Sequence, residues 1–349
     1  MSIRVPSGAA YFAAQNSYSG FKSSFPSVFN SKEYDRIYVL KGGPGTGKSS
    51  MMKKIRERFS GSETAVNSIY CSSDTSSLDG LIIEGCKRRV AILDGTAPHE
   101  RDPLLPGAFD EIINLGECWQ REKIIENRDT ILELNAKKSL HYKRAYEFLS
   151  ISGSFAKHVN RIIRDGYDYY GADALTKSVI PAESKTGSEI PVIVSAFGKS
   201  GYYTTDTFDS IADKKIGIYG RFNTDLTLIG AIRHYLKSKS FEFIRCIFPL
   251  DDNESEAIYL PDRKILICRN QDGEINAEEF LHITADTAMI AAEYDADEVK
   301  YRNLAQKEFR LASEAHFALE NIYTPCMDFD KLDAIYEKIC ADISKILEL

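Results

Sequence analysis

The stretch IYVLKGGPGTGKSSMMKKI, residues 37–55, constrains this chain more than any other. Ile37 to Leu40 is a β-prone run, a glycine-rich turn follows, and Met51, Met52, Ile55 and Phe59 then recur at helical spacing. A strand that turns through glycines into a helix N-terminus brings successive backbone N–H groups to one point, and that point suits an oxyanion. Gly42-x-x-x-x-Gly47-Lys48-Ser49 matches the phosphate-loop pattern. The expected nucleotide-binding set is Gly42, Gly43, Pro44, Gly45, Thr46, Gly47, Lys48, Ser49 and Ser50. In it Lys48 would reach the β- and γ-phosphates, and the Ser49 hydroxyl would hold Mg²⁺.

Such a site takes a second Mg²⁺-side carboxylate from the end of a neighbouring buried strand. Residues 88–95, Arg-Arg-Val-Ala-Ile-Leu-Asp-Gly, supply Asp94, so Ser49 and Asp94 are the expected metal-side pair. GTAPHE follows Asp94, without the adjacent Glu that many ATPases use to polarise water. Asp74, in SIYCSSDTSSLDG (68–80), is a candidate for positioning water, as is His99 with its neighbour Glu100. Each has a plainer reading, a solvated Ser/Asp turn for Asp74 and a packing or capping histidine for His99.

The outline recurs. Tyr38–Gly42 falls on Ile216–Gly220 at an offset of 178, SYSGFKSSFPSVF (17–29) is echoed by 198–211, and VAILDG (90–95) by ILICRN (265–270). Several aligned features argue for a duplication. In the second half Leu226 stands for Lys48, Asp225 for Gly47 and Arg269 for Asp94, which removes the phosphate cation and places an acid in the cradle. One nucleotide per chain is expected, with Arg221 or Arg269 as candidate cations toward its γ-phosphate. The fold expectation is α/β: two P-loop NTPase-like parallel-sheet halves, residues 1–180 and 190–349, each with a helical appendage, joined by a polar linker at about 176–191. A helical hairpin is expected over 116–165 and further helix over 277–349. Lys137, Lys138, Lys143 and Arg144 read either as a lid over phosphates or as a solvated helix face.

Composition narrows the partners. The net charge of −7 disfavours bulk nucleic-acid binding. The seven cysteines are scattered without a C-x-x-C pair, as expected for reduced thiols in a cytoplasmic protein. No window has the roughly 18 charge-free apolar residues of a membrane span, and the N-terminus lacks a signal-peptide core.

The combination LKGGPGTGKSS, YCSSDTSSLDG, LDGTAPH and DPLLPGAFDEIINLGE (102–117) resembles a family of bacterial cytosolic P-loop ATPases with two tandem NTPase-like halves. The likeness spans most of the chain, specific in the first half and faint in the second. It implies Gly42 to Ser49 as nucleotide site and Asp94 as Mg²⁺-side acid. The sequence departs from that pattern at residues 220–227, where a second phosphate loop would stand. The leading expectation is a Mg²⁺-dependent ATPase with one active site and a degenerate second half, its ATP-binding residues as above and its protein partner or acceptor unidentified. The alternatives are a small-molecule or nucleotide kinase and a non-hydrolysing, nucleotide-gated binding module. Adenine is favoured because no guanine-specific signature is evident.

Overall fold

The computed structural model describes residues 5–98, 101–180, 183 and 185–349. The first half contributes strands β1 (Ala10–Phe12), β2 (Ala14–Ser17), β3 (Gly20–Ser23), β4 (Arg36–Lys41), β5 (Ala65–Tyr70), β6 (Leu78–Glu84), β7 (Arg89–Asp94) and β8 (Asp110–Asn114). Its helices are α1 (Phe25–Val28), α2 (Lys48–Phe59), α3 (Arg121–Glu126), α4 (Arg128–Asp165) and α5 (Tyr169–Val179). The second half adds β9 (Glu189–Val192), β10 (Ser195–Gly198), β11 (Gly201–Thr204), β12 (Lys214–Tyr219), β13 (Phe243–Ile247), β14 (Ser255–Leu260), β15 (Ile265–Arg269) and β16 (Ile275–Asn276). Helices α6 (Thr224–Ser238), α7 (Ala285–Tyr323) and α8 (Phe329–Leu347) complete it.

Two six-stranded sheets have one topology. The first runs β1-β5-β6-β7-β4-β8; the second, read from its far edge, runs β9-β13-β14-β15-β12-β16. Each half also has a separate hairpin, β2–β3 or β10–β11. The sequence echo holds to the residue at the site: Leu40 pairs with Asp94 as Ile218 pairs with Arg269.

The sheets are mixed, which corrects the parallel expectation. β6 and β14 each run antiparallel to both neighbours. The physical reason is connection length: residues 71–77 and 248–254 are too short for the crossover that a parallel pair requires. The remaining pairings are parallel.

Alternation along the strands splits the core in two directions. Ile37, Val39, Ile69, Ala91 and Leu93 of the first sheet share one apolar cluster with Ile244, Cys246, Ala257 and Leu266 of the second, so the halves meet sheet to sheet. The outer face of the first sheet (Tyr38, Leu40, Leu81, Ile83, Ile92) is covered by α2 and by α8, through Leu332, Ile339, Ile343 and Leu347. The outer face of the second is covered by α6 and by α5.

The covering helices are exchanged. α8 ends the second half yet packs on the first sheet, where Lys54 and Arg58 of α2 meet Asp333 and Glu337 at 3.0 and 2.8 Å. α5 ends the first half yet packs on the second. The entries match: Asp328 N–H donates to Cys118 O, and Asp168 N–H to Phe280 O, both at 2.7 Å. Residues 1–180 and 190–349 therefore follow the chain, while each half's packing borrows its last helix from the other.

The hairpin expected over 116–165 is instead the single helix α4 after the short α3. Its antiparallel partner is α7, as the contacts His141–Glu308, Ser152–Glu298 and Phe155–Tyr294 show. Residues 128–165 contain no proline, and mid-helix Gly153 serves a close approach: a β-carbon there would lie 2.5 Å from Tyr18 Cβ. The polar linker is shorter than expected, since α5 continues to Val179 and β9 starts at Glu189. Among the described residues, no helix is long and apolar enough to cross a membrane, and no cysteine forms a disulfide.

Candidate functional site

The site lies where β4 turns into α2. Gly45 (φ +69°) and Gly47 (φ +79°) take left-handed conformations that allow the loop to curl back on itself. Gly42 needs to be glycine for space, because a β-carbon there would stand 2.7 Å from Thr46 Oγ1. Thr46 Oγ1 closes the turn by donating to Gly43 O at 2.8 Å. Lys48 opens α2; its Nζ donates to Gly42 O (2.7 Å) and Gly43 O (3.0 Å) and stands 3.6 Å from Asp94 Oδ2. Asp94 ends the adjacent parallel strand β7, and its Oδ1 accepts from Thr96 N–H (2.9 Å) and Oγ1–H (2.5 Å). Ser49 Oγ accepts from Leu78 N–H at 3.0 Å, which leaves its second lone pair available. Ser50 is exposed in the first turn of α2. The structure thus brings Lys48, Asp94 and the loop of residues 42–47 together.

Asp74 has other commitments. Its Oδ1 accepts from Ser76 N–H (3.1 Å) and Oγ–H (2.7 Å), and its Oδ2 from Lys199 Nζ (2.5 Å), a residue of the β10–β11 turn in the other half. Burial would raise its carboxyl, but Lys199 and the Ser76 donors outweigh burial and hold it below the usual range. A carboxylate held ionised in this way is a weak base and a strong latch. His99 and Glu100 lie outside the described residues.

The other half reaches the loop again through the end of α7. Glu320 lies against Gly45, where a β-carbon would stand 2.9 Å from Glu320 O, and His316 together with the nearby Gly45 N–H holds its carboxyl below the usual range. Thr324 Oγ1 donates to Gly45 O at 3.4 Å. Tyr323 packs against Trp119 with ring centroids 5.7 Å apart, and a β-carbon on Gly43 would meet that indole at 3.4 Å. Lys199, Glu320, Tyr323 and Thr324 escaped sequence reasoning because each lies more than a hundred residues from the motif it touches. The one signal able to find them was the duplication, which predicts that two halves with matching surfaces meet.

The equivalent place in the second half keeps the turn and inverts the charges. Thr224 Oγ1 donates to Arg221 O at 2.8 Å, as Thr46 does to Gly43 O. Asn223 (φ +58°) takes the left-handed position of Gly45. Where the first half has a cationic helix start and an acidic strand end, the second has buried Asp225 at the helix start, accepting from Arg269 Nε at 2.7 Å. Arg221 is bound to Glu278, Nη2 to Oε2 at 2.8 Å. Both arginines are thus engaged within their own half, against the expectation that either serves the γ-phosphate of the first. Leu226, at the place of Lys48, is buried in the apolar contact between the arm helices and the second half. No family model, no curated protein and no solved structure matches this chain.

Proposed function

We propose that the chain is a Mg²⁺-dependent, ATP-binding P-loop ATPase with a single nucleotide site at residues 42–49 and a second half that has lost its own. The observation that carries this reading is the contrast between two equivalent turns: at one, Lys48, Ser49 and Asp94 meet beside the glycine loop, and at the other an acid, Asp225, buried and paired with Arg269, stands in the place of Gly47. The residues fit the group. Glycines at 42, 43, 45 and 47 let the loop turn back on itself, and hard oxygen donors at Ser49 and Asp94 suit Mg²⁺.

ATP and Mg²⁺ supply the transferable phosphoryl group and the divalent charge beside it. Lys48 supplies positive charge at the phosphates when it exchanges the Gly42 and Gly43 carbonyls for them. Ser49 and Asp94 orient the metal's side of the site. The end of α7 lies against Gly45, and the Glu320 carboxylate there repels a phosphate entering the loop. Nucleotide binding therefore displaces the end of α7 and is felt by the second half. The adenine preference and a cytoplasmic setting belong to the same proposal, as does the kinship with tandem P-loop ATPases.

Calorimetry with Mg·ATP, paired with phosphate release without any acceptor, tests it. The native chain should bind one nucleotide, and Lys48→Ala should lose about a hundredfold in affinity together with turnover. Binding unchanged by Lys48→Ala would end the proposal.

A further inference from the structure

We propose that the cavity between the two halves, beside strands β1 and β9, is a second ligand site that takes an uncharged aromatic molecule of one or two rings. The site is independent of the nucleotide reading.

The cavity measures about 290 Å³ and draws its walls from both halves. Tyr11, Phe12 and Val28 come from the first, and Ile190, Val192 and Ile193 from the second. It lies beside the crossing of the halves, where Phe12 N–H donates to Ile193 O at 2.8 Å. Those six residues are buried, while Ser27 and Pro191 are exposed and mark the mouth. Packed interiors leave few voids larger than a water molecule. An apolar cavity of roughly 150 Å³ admits benzene, so this one has room for two fused rings.

The duplication points to a ring as the occupant. Ser24 N–H donates to Ala13 O at 2.7 Å, and Thr205 N–H to Val194 O at 2.9 Å, so Ser24 and Thr205 hold equivalent places. Three residues on, the first half has Ser27 and the second has Phe208, which is 3% exposed and stacks on Tyr259 with ring centroids 5.0 Å apart. The second half fills its place with an aromatic side chain, and the first leaves a hydroxyl and a cavity there.

The lining selects against charge. Glu189 is the one charged residue among the described residues of the wall, and its carboxylate accepts from Arg233 Nε and Nη2 at 2.9 and 2.8 Å. A charged molecule would therefore lose its water without gaining a partner. Ser24 precedes α1 without a side-chain capping bond, so its hydroxyl, with that of Ser27, can meet one polar atom of the ligand near the mouth.

Fluorine NMR of 5-fluoroindole titrated into the full chain tests the assignment, with indole-3-acetate as a charged ring and octanol as an apolar chain for comparison. The fluoroindole should bind saturably and raise the unfolding midpoint, and indole-3-acetate should bind at least about tenfold more weakly. Ser27→Phe, which gives the first half the ring of the second, should weaken fluoroindole binding at least about tenfold, and Ser24→Ala about threefold. Ile247→Trp fills the cavity from the other half and should act like Ser27→Phe, which keeps the test decisive where one of the two fails to fold. Absence of saturable binding, undiminished binding in a folded cavity-filling variant, or a preference for octanol would overturn the proposal, and each of these results leaves the reading of residues 42–49 standing.

Discussion

Arg269→Ala should destabilise the protein far more than the corresponding change in the first half. Asp225 is 1% exposed and accepts from Arg269 Nε at 2.7 Å and from Leu226 N–H at 2.8 Å. Removing the guanidinium strands a buried carboxylate, which typically costs 3–5 kcal/mol. Because the Arg269 side chain is 31% exposed, water can partly replace it, and the expected loss is about 3 kcal/mol, at the lower end of that range. With an unfolding entropy of roughly 2.1 cal/mol/K per residue, a chain of this length has about 0.7 kcal/mol/K, so the midpoint should fall by about 4 °C. Asp94→Asn, by contrast, leaves Lys48 with its two carbonyl acceptors and should cost under about 1 kcal/mol. Urea unfolding of Arg269→Ala, Asp225→Asn and the double variant closes a thermodynamic cycle with an expected coupling of about 2 kcal/mol. A loss below about 0.5 kcal/mol in Arg269→Ala, or additive costs in the double variant, would show that the second site does not neutralise itself through this pair.

Two further outcomes are expected. Burial pushes the Glu256 carboxyl up to about 7, against a Ser195 hydrogen bond and the Arg269 charge that lower it. Between the ordinary carboxylate pKa and that value the folded chain holds a proton that the unfolded chain has released, so this group costs stability as pH rises through the window. Glu256→Gln should therefore gain stability over the native chain from pH 4.5 upward, levelling near pH 7 at up to about 3 kcal/mol, and parallel stability curves would contradict this. Trp119, the single tryptophan, packs against Gly43 and Tyr323, so Mg·ATP should change its fluorescence in the native chain and leave Lys48→Ala unaltered. Identical spectra with nucleotide bound by calorimetry would show that the end of α7 stays in place.

Much of the site was legible in the sequence because its chemistry is local. Glycines, lysine and serine within one turn must fall at fixed spacing for backbone and side chain to meet one phosphate, and a strand-end acid must follow a buried apolar run. The charge inversion was legible for the same reason: aligning the echoes places Asp225 and Arg269 on Gly47 and Asp94 without any coordinates. The antiparallel strand β6 was readable in principle from the short loop before it, although the familiar motif suggested a parallel sheet. Asp74 shows the limit. Its neighbours in sequence make it a polar turn residue, and only the approach of Lys199 from the other half decides that its charge holds a contact.

What the sequence by itself determined is the glycine-rich loop with Lys48, the acid at Asp94 that meets it, and a duplicated plan whose second copy carries other charges at the same places. What the tertiary structure alone decided is ownership: which helix covers which sheet, and which residues of the second half touch the loop of the first. Both sheets share one strand order, and each takes an apolar helix, α8 on the first and α5 on the second, on its outer face. Nothing in periodicity tells such a helix to cross over. The choice belongs to the long α4–α7 pair, whose span carries each chain segment past its own sheet to the other, and contacts made at that distance leave no local trace in the residues that make them.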